Sequence, residues 1–313
     1  MKYAIGIDLG GTFIKYGIIK EEDSSFLIEG KMPSMADISA DKIIEQLIKS
    51  INICIDYSKS HDFDLCGVGV GTPGIVDEKR GIVFGGADNL KGWSDIHLSE
   101  IIKKETGLNS YIGNDANMMA FGEVIFGAAR GLTDVVFLTI GTGIGGGLIL
   151  NGKLYGGYDN RGTELGHIPL NIEGVDCNCG GRGCLEAYAS TSALLKQYKY
   201  NLNESGIDVR EEITGELLIK NYLSGESCAI KTMCSHWHYL GHGVAAFINI
   251  FSPQAVVIGG GISDAGEFYI DGIRKEAFNI ALPDCSVNTR VVGAALGNKA
   301  AILGAAANVL ENY

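Results

Sequence analysis

Short runs of apolar residues that end in glycine recur along the chain. Residues 2–20, KYAIGIDLGGTFIKYGIIK, contain two such runs joined at a pair of glycines, a pattern that predicts a β-hairpin. Residues 135–154, VVFLTIGTGIGGGLILNGKL, repeat the order of run, glycine turn and run. The repeat is coarse at the level of individual residues, but it predicts two domains built on a similar plan.

Apolar residues at helical spacing separate these runs. Residues 40–59 and 96–107 predict helices, the second ending at Gly107, and residues 298–310 predict an alanine-rich helix. A long helix over about 226–251 is predicted from a single apolar stripe formed by Ile230, Met233, Trp237, Leu240, Val244 and Ile248.

Three further segments predict strands. Residues 65–77 and 254–266 each predict a buried strand that ends in a glycine turn, and residues 110–129 predict a short strand, a turn and a helix starting near Asn114. Strands that alternate with helices predict an α/β fold, and such folds usually bind their ligands at strand ends.

The composition narrows the classes of function. Charged residues make up 20% of the 313 residues, and no apolar run reaches the roughly 18 residues that a membrane span needs. The N-terminal sequence lacks a signal-peptide pattern, so we expect a cytoplasmic protein without a membrane partner, whose eight cysteines are reduced or metal-bound. The net charge of −12 argues against a nucleic-acid partner.

Four metal-ligand side chains lie within residues 166–186, GHIPLNIEGVDCNCGGRGCLE. One imidazole and three thiols would complete a tetrahedral zinc site and leave no position open for water, which indicates a structural zinc held by His167, Cys177, Cys179 and Cys184. Ordinary buried thiols are one alternative. A redox pair at Cys177 and Cys179 is another, although redox pairs usually have the spacing C-x-x-C.

A second metal-binding hypothesis concerns the long predicted helix. Cys234, His238 and His242 recur at intervals of four residues and would share one helical face. We favour the simpler interpretation, which is a polar flank on a helix with a strong apolar stripe.

Two glycine turns are candidates for phosphate binding, and exposed N–H groups in such turns cradle anions. The first turn runs from Asp8 to Thr12 and the second from Gly141 to Gly147. Asp8 beside a phosphate would need an intervening cation, which makes it a candidate Mg²⁺ anchor. The chain has no P-loop motif, and the G-x-G-x-x-G formed by Gly141, Gly143 and Gly146 precedes a predicted strand, so a dinucleotide site is a weaker alternative. Turns that serve only as hairpin ends are the other alternative.

Residues 113–117, GNDAN, place Asp115 where a predicted strand meets a helix. Asn114 or Asp115 could simply cap that helix. Alternatively, the Asp115 carboxylate could accept a proton from a substrate hydroxyl during phosphoryl transfer.

Taken in order, these motifs resemble one known family. DLGGT, GTPG, NL followed by GW, GNDAN, GTGIGGG, ELGH, CNCGGRGCLE, and NIFSP leading to VVIGGG occur between residues 8 and 261. This series resembles the ROK family of bacterial sugar kinases and sugar-responsive repressors. The resemblance implies an actin-like (ribonuclease H-like) sugar-kinase fold, with two α/β domains around a ligand cleft. We place the domains at 1–120 with 298–313, and at 121–297.

The resemblance also implies roles for individual residues. Asp115 matches the catalytic base of the family, and its sugar ligands match Asn114, Glu164, His167 and Glu186. The phosphate turns match Gly10, Gly11 and Thr12, and Gly141, Thr142 and Gly143. The adenosine-side turn matches Gly259, Gly260 and Gly261. Asn89 lies in residues 71–93, which we expect to shape the sugar pocket. His167 would then serve both zinc and sugar, so that losing zinc would also damage sugar binding.

The implied activity is transfer of the γ-phosphoryl group of MgATP to the 6-hydroxyl of a hexose, with glucose as first choice. N-acetylmannosamine, N-acetylglucosamine, allose and fructose are alternatives, and a homodimer is expected. A sugar-sensing repressor is disfavoured because the first turn begins at residue 8, which leaves no room for a preceding DNA-binding region. A sugar-binding protein without catalysis is a further alternative, which Asp115 argues against. Phe13 departs from the family pattern, as do Asn298 and Lys299.

Overall fold

The computed structural model describes residues 1–21, 25–87, 89–207 and 212–312. They form two compact units, one of residues 1–133, 147–163 and 298–313 and one of residues 134–146 and 164–297. The domain limits predicted above, at residues 120 and 297, stay a prediction. Within the described residues, no helix is long and apolar enough to cross a membrane.

The first unit contains a five-stranded sheet, a strand pair and four of the helices. The strands of this sheet and this pair are β1 (Tyr3–Leu9), β2 (Phe13–Lys20), β3 (Phe26–Pro33), β4 (Val68–Thr72), β5 (Ile75–Asp77), β6 (Ile82–Gly85) and β7 (Ser110–Asn114). The sheet has the order β3-β2-β1-β4-β7, antiparallel from β3 to β1 and parallel from β1 to β7. The helices are α1 (Ala40–Ser60), α2 (Leu98–Thr106), α3 (Asp115–Ile125) and, much later in the chain, α10 (Ala300–Asn312).

The two faces of this sheet are covered differently. On one face, Ile43, Leu47 and Ile51 of α1 join a fully buried cluster with apolar strand residues. On the other face, α10 approaches so closely that glycine is required: a Cβ at Gly69 would lie 1.8 Å from the Ala305 carbonyl oxygen. Within α10 itself, a Cβ at Gly304 would lie equally close to a carbonyl oxygen of α3. The backbone of α10 therefore packs directly against the backbones of β4 and α3.

A second five-stranded sheet repeats the topology of the first. Its order is β10-β9-β8-β11-β12, with bounds β8 (Val135–Ile140), β9 (Ile144–Leu150), β10 (Lys153–Leu154), β11 (Ala255–Gly259) and β12 (Arg290–Gly293). In both sheets the strands, counted along the chain, lie in the order third, second, first, fourth, fifth. The internal repeat seen in the sequence therefore corresponds to a repeated sheet topology.

Six α-helices lie in the described part of the second unit. They are α4 (Leu185–Ala189), α5 (Thr191–Glu204), α6 (Gly215–Leu223), α7 (Ser227–Phe251), α8 (Glu267–Ile280) and α9 (Pro283–Ser286). The predicted bounds of α7 are correct within one residue, but the predicted stripe is partly wrong. Ile230 is exposed, Trp237 is half-buried and His236 is buried instead. His236 can be buried because its Nε2 lies 2.7 Å from the Tyr269 hydroxyl.

The junction after β7 also differs from expectation. No turn separates the strand from the helix, since β7 ends at Asn114 and α3 begins at Asp115. The Asn114 side chain satisfies the first helical N–H groups, so the chain passes directly from extended to helical conformation.

Candidate active site and metal centre

The first glycine turn connects β1 to β2. Gly10 N–H donates to the Phe13 carbonyl, and the buried Ser34 braces the turn by donating from its hydroxyl to Gly11 O and from its N–H to Thr12 O. In the part of the chain that the structure describes, the N–H groups of Gly11 and Thr12 have no acceptor. The turn is thus rigid and offers two donors, which suits an anion.

Asp8 has a partner that the sequence reasoning missed. Lys15 lies directly opposite Asp8 in the β1–β2 register, and its Nζ is 3.1 Å from Asp8 Oδ2. Burial raises the pKa of Asp8, and the Lys15 ammonium opposes that shift. A cation therefore already faces the carboxylate that we expected to anchor Mg²⁺. The hairpin register, had it been extended from the glycine turn, would have revealed the pair.

Asn89 lies over the same turn. Its side chain is exposed, and a Cβ added at Gly11 would come within 2.9 Å of Asn89 Nδ2. A residue larger than glycine at position 11 would therefore push Asn89 away from the turn.

Asn114 and Asp115 occupy the N-terminus of α3. Asn114 is the N-cap: its Oδ1 accepts from the N–H groups of Ala116 and Asn117, and its Nδ2 donates to the Gly74 carbonyl. Asp115 is the first helical residue, half-buried, with its Oδ1 accepting from Ala116 N–H at 2.9 Å. A carboxylate at a helix N-terminus is stabilised as the anion, the form that can accept a proton.

The second glycine turn, between β8 and β9, is anchored from two sides. Gly141 N–H donates to Gly143 O, and Gly141 O accepts from Thr191 N–H at the start of α5. The N–H groups of Thr142 and Gly143 have no acceptor among the described residues. This turn therefore has the same two-donor character as the first.

One side of the second turn opens on a cavity of about 900 Å³. The wall is formed by the end of β8 and the turn, by α5 and α6, and by the segment after β11. The lining residues are Ile140, Gly141, Thr142, Thr191, Ser192, Leu195, Gly215, Glu216, Ile219, Lys220, Leu223, Gly261, Ile262, Asp264 and Ala265. A mostly apolar cavity with a few polar groups beside an anion-binding turn has the composition of a site for a small ligand with a charged group.

The third glycine turn follows β11. Gly261 lines the cavity, whereas Gly259 is the last residue of the strand. Gly260 has φ of +98°, and a Cβ there would lie 2.1 Å from the Ile140 carbonyl oxygen. Gly260 is therefore needed for close packing of the two strand ends.

The other side of the second turn contacts Glu186. Its Oε2 accepts from Ile144 N–H at 2.8 Å, and a Cβ at Gly143 would lie 2.4 Å from the same oxygen. Ile144 also borders Gly166, whose Cβ would lie 2.1 Å from the Ile144 carbonyl oxygen. Ile144 at the end of the turn thus contacts both the Glu164–His167 segment and Glu186, which carry the predicted sugar ligands.

His167, Cys177, Cys179 and Cys184 converge as the sequence predicted, with ligand atoms all within 4.8 Å of one another. Cys177 Sγ is 3.7 Å from His167 Nδ1, and Cys179 Sγ is 3.7 Å from Cys184 Sγ. With metal–sulfur bonds of 2.3 Å, tetrahedral zinc requires about 3.8 Å between sulfurs and about 3.6 Å between sulfur and nitrogen. These two pairs therefore have the spacing of zinc ligands, which supports zinc as the ion that the four side chains would hold.

The predicted sugar ligands on this loop differ in their surroundings. Glu164 is exposed at the start of a turn in which its carbonyl accepts from His167 N–H. Glu186 Oε1 lies 3.8 Å from Cys177 Sγ, so this carboxylate borders the predicted metal ligands. In contrast, Cys234, His238 and His242 do not form such a cluster: among the residues with a described placement, the His167 group is the only one suited to a metal.

Comparison with known proteins identifies the family. Residues 4–312 match the ROK family. The chain belongs to the ROK family.

Three similar proteins illustrate the range of the family. The glucokinase of Thermotoga maritima is 35% identical, over 98% of this chain and 97% of its own length. The xylose repressor of Bacillus spizizenii is 30% identical, over 99% of this chain and 78% of its own length.

The third is a solved structure. A ROK family glucokinase from Streptomyces griseus, in complex with glucose and AMPPNP, has a TM-score of 0.82 and 32% identity, covering 99% of both chains. The likeness confirms the predicted α/β, actin-like fold of ROK sugar kinases.

Part of this ROK site could not be read from the sequence. The walls of the large cavity come mainly from α5 and α6, which present ordinary helical residues such as Leu195 and Ile219. No spacing or residue type there differs from that of any amphipathic helix. Only the tertiary packing brings these residues to the glycine turn.

Proposed function

We propose that this protein is an ATP-dependent hexose kinase that transfers the γ-phosphoryl group of MgATP to the 6-hydroxyl of a sugar, with glucose as the preferred substrate. The observation that supports this best is the second glycine turn. One side of the turn borders the 900 Å³ cavity, and the other contacts the Glu186 carboxylate. A nucleotide and a sugar could therefore be bound by the same rigid segment.

The nucleotide would enter with its adenosine in the cavity. Leu195, Ile219 and Ile262 supply apolar surface for the base, and Gly261 lies at the cavity wall. The unbonded N–H groups of Thr142 and Gly143 would receive phosphate oxygens, as would those of Gly11 and Thr12 in the first unit. AMPPNP in the Streptomyces griseus structure supports ATP as donor.

The sugar would be held by Asn89, Asn114, Glu164, His167 and Glu186. Carboxylates and amides that bind adjacent hydroxyls discriminate strongly, because a sugar lacking one hydroxyl leaves buried groups unpaired. Asn114 contributes mainly by position, since its amide already caps α3 and donates to Gly74 O. Glucose is preferred because the Thermotoga maritima relative and the Streptomyces griseus structure are both glucokinases.

Asp115 is the proposed general base. Its carboxylate would accept the proton of the 6-hydroxyl as that oxygen attacks the γ-phosphorus, and the bond to the β-phosphate oxygen breaks. Mg²⁺ would accompany the nucleotide and neutralise phosphate charge, with Asp8 as its proposed anchor through water. Zinc at His167, Cys177, Cys179 and Cys184 would fix the loop that presents His167 and Glu186.

A sugar sensor without catalysis is the second candidate, supported by the similarity to the Bacillus spizizenii xylose repressor. A coupled assay of ADP release with MgATP and a hexose panel separates the two. We expect activity on glucose that falls by about 10²- to 10⁴-fold in Asp115→Asn. Asp41→Asn, which changes an acid in the first turn of α1, is the matched control and should retain activity.

The outcomes have distinct meanings. Turnover of another hexose alone would keep the mechanism and replace the substrate. Sugar binding without turnover of any hexose would refute the kinase and support the sensor. We also propose a homodimer, which light scattering after size-exclusion chromatography would test directly.

A further inference from the structure

Three charged side chains form a row across the first sheet, beside its glycine turn. Asp8 on β1 is opposite Lys15 on β2, and Lys15 is opposite Lys31 on β3. Residues directly opposite in antiparallel strands point to the same face of the sheet. The row therefore runs acid, base, base on one face, and Lys15 follows Thr12 of the turn by three residues.

This arrangement is unfavourable unless something negative faces it. Like charges directly opposite on neighbouring strands destabilise the pair. Asp8 compensates for only one of the two ammonium groups, and Lys31 is exposed with its Nζ 5.0 Å from the centre of the Phe13 ring. The row thus carries one net positive charge at the end of the strands where the turn lies.

A purely structural role does not account for the Asp8–Lys15 pair. Asp8 is almost fully buried, and its desolvation is costly, whereas a half-exposed ion pair contributes only about 0–1 kcal/mol. The Lys15 side chain is 34% exposed, so its ammonium is held by Asp8 at one side and still reaches solvent. An ammonium has three donors, and among the described residues Asp8 is its sole acceptor.

The neighbouring turn supplies matching donors. Gly11 and Thr12 have N–H groups without acceptors in the described structure, and Ser34 fixes their carbonyl groups from behind. Fixed N–H donors together with a tethered ammonium form a site for a phosphate group, in which the lysine acts as a point charge.

We propose that Lys15 is a phosphate-binding residue, held in place by Asp8 and assisted by Lys31, which binds the terminal phosphates of the nucleotide at the Gly10–Thr12 turn. The assignment deepens the proposed kinase function and rests on it for the identity of the nucleotide. Asp8 then has a role of its own, because it orients the ammonium whether or not Mg²⁺ is also anchored there.

The test measures binding separately from catalysis. Isothermal titration calorimetry with ATP and with inorganic tripolyphosphate, both with Mg²⁺ and with EDTA, is applied to Lys15→Ala, Lys15→Arg and Lys31→Ala. Lys49→Ala is the control, since Lys49 is also ion-paired in the first unit, to Glu45 of α1 at 2.7 Å. Circular dichroism confirms that each variant is folded.

We expect Lys15→Ala to weaken tripolyphosphate binding in EDTA by at least tenfold and to reduce its salt dependence. The variant should raise KM for ATP while leaving KM for the sugar unchanged. Lys15→Arg should recover part of the loss, Lys31→Ala should lose less, and Lys49→Ala should match wild type. If Lys15→Ala does not fold, Asp8→Asn combined with Lys15→Met removes both charges and should show the same loss.

Two results would overturn the inference: wild-type phosphate affinity in the Lys15 variants, or an equal loss of sugar and nucleotide affinity. If wild type turns over no sugar yet binds tripolyphosphate in a Lys15-dependent way, the inference stands and the kinase proposal fails. If wild type is an active kinase and Lys15→Ala keeps its KM for ATP, the inference fails and the kinase proposal stands.

Discussion

A methyl group at Gly143 should uncouple the second glycine turn from Glu186. The added Cβ would lie 2.4 Å from Glu186 Oε2, and real Cβ contacts are at least 3.0 Å long. The carboxylate therefore has to move away from the turn by about 0.6 Å or more. The hydrogen bond from Ile144 N–H, now 2.8 Å, would be stretched to its limit.

The size of the effect follows from the charge on that oxygen. A hydrogen bond to a charged group contributes about 1.5–3 kcal/mol, so misplacing the carboxylate should weaken sugar binding by about 10- to 150-fold. The fold itself should survive Gly143→Ala, because the displaced atom is the end of a flexible side chain.

Gly141→Ala provides a control within the same turn. A Cβ at Gly141 meets nothing nearer than the Gly143 carbonyl oxygen at 4.0 Å, so the protein itself has room for the methyl group. Calorimetric titration with glucose, and thermal unfolding of each variant, would measure the two effects. We expect Gly143→Ala to lose sugar affinity with little change in Tm, and Gly141→Ala to keep sugar affinity.

Two outcomes would refute this reasoning. Unchanged sugar affinity in Gly143→Ala would mean that Glu186 is not placed by the turn or does not bind the sugar. Equal loss in both variants would mean that the turn tolerates no side chain for reasons unrelated to Glu186.

Three further predictions address stability and metal. Gly304→Ala should lower the free energy of unfolding by about 3 kcal/mol or more, and Tm with it, because the added Cβ would lie 1.8 Å from a carbonyl oxygen. Gly215→Ala is the control and should leave Tm unchanged, because a Cβ there meets nothing within 4 Å. Metal analysis should find one zinc per chain in wild type and Cys234→Ser but none in Cys179→Ser, and chelation should lower both Tm and sugar affinity. Burial lowers the pKa of His236 to about 4, below its unfolded value near 6.5. The stability from its neutral form is complete above pH 6.5 and should decline towards pH 4, by up to about 3 kcal/mol; a Tm–pH profile should flatten in His236→Phe.

Patterned segments were predictable from the sequence. The hairpin of β1 and β2, the strand pair of β8 and β9, and the limits of α7 follow from apolar runs of different period interrupted by glycine. The convergence of His167, Cys177, Cys179 and Cys184 was equally predictable, since three thiols and one imidazole lie within 18 residues of sequence; the zinc itself stays a prediction.

Features that depend on partners distant in the sequence were not predictable. β3 was missed because charged residues such as Glu29 and Lys31 interrupt its apolar pattern. Burial of His236 depends on the hydroxyl of Tyr269, which lies 33 residues further on. Ile230 fits the helical stripe of α7 yet is 39% exposed, although Met233 of the same stripe is fully buried.

The local role of a residue could also be obscured by its functional role. Asn114 was considered both as a helix cap and as a sugar ligand, and the structure uses its amide for the cap. Asp8 was considered as a metal anchor, and its ion pair with Lys15 appears only when the hairpin register is drawn. Placing β1 and β2 in register, rather than finding motifs, would have improved the prediction for Asp8.

The packing of α10 on the first sheet also determines when the first unit can fold during synthesis. Residues 300–312 leave the ribosome after the second unit, whose segment 164–297 follows every strand of the first sheet. At about 5–20 residues per second, the sheet waits roughly ten to forty seconds for the helix that covers its glycine face. The nascent chain therefore carries an uncovered sheet for that interval, and this is the period in which chaperones would protect it. A chain interrupted before residue 300 would lack this helix, and the first sheet would stay uncovered although all five of its strands are present.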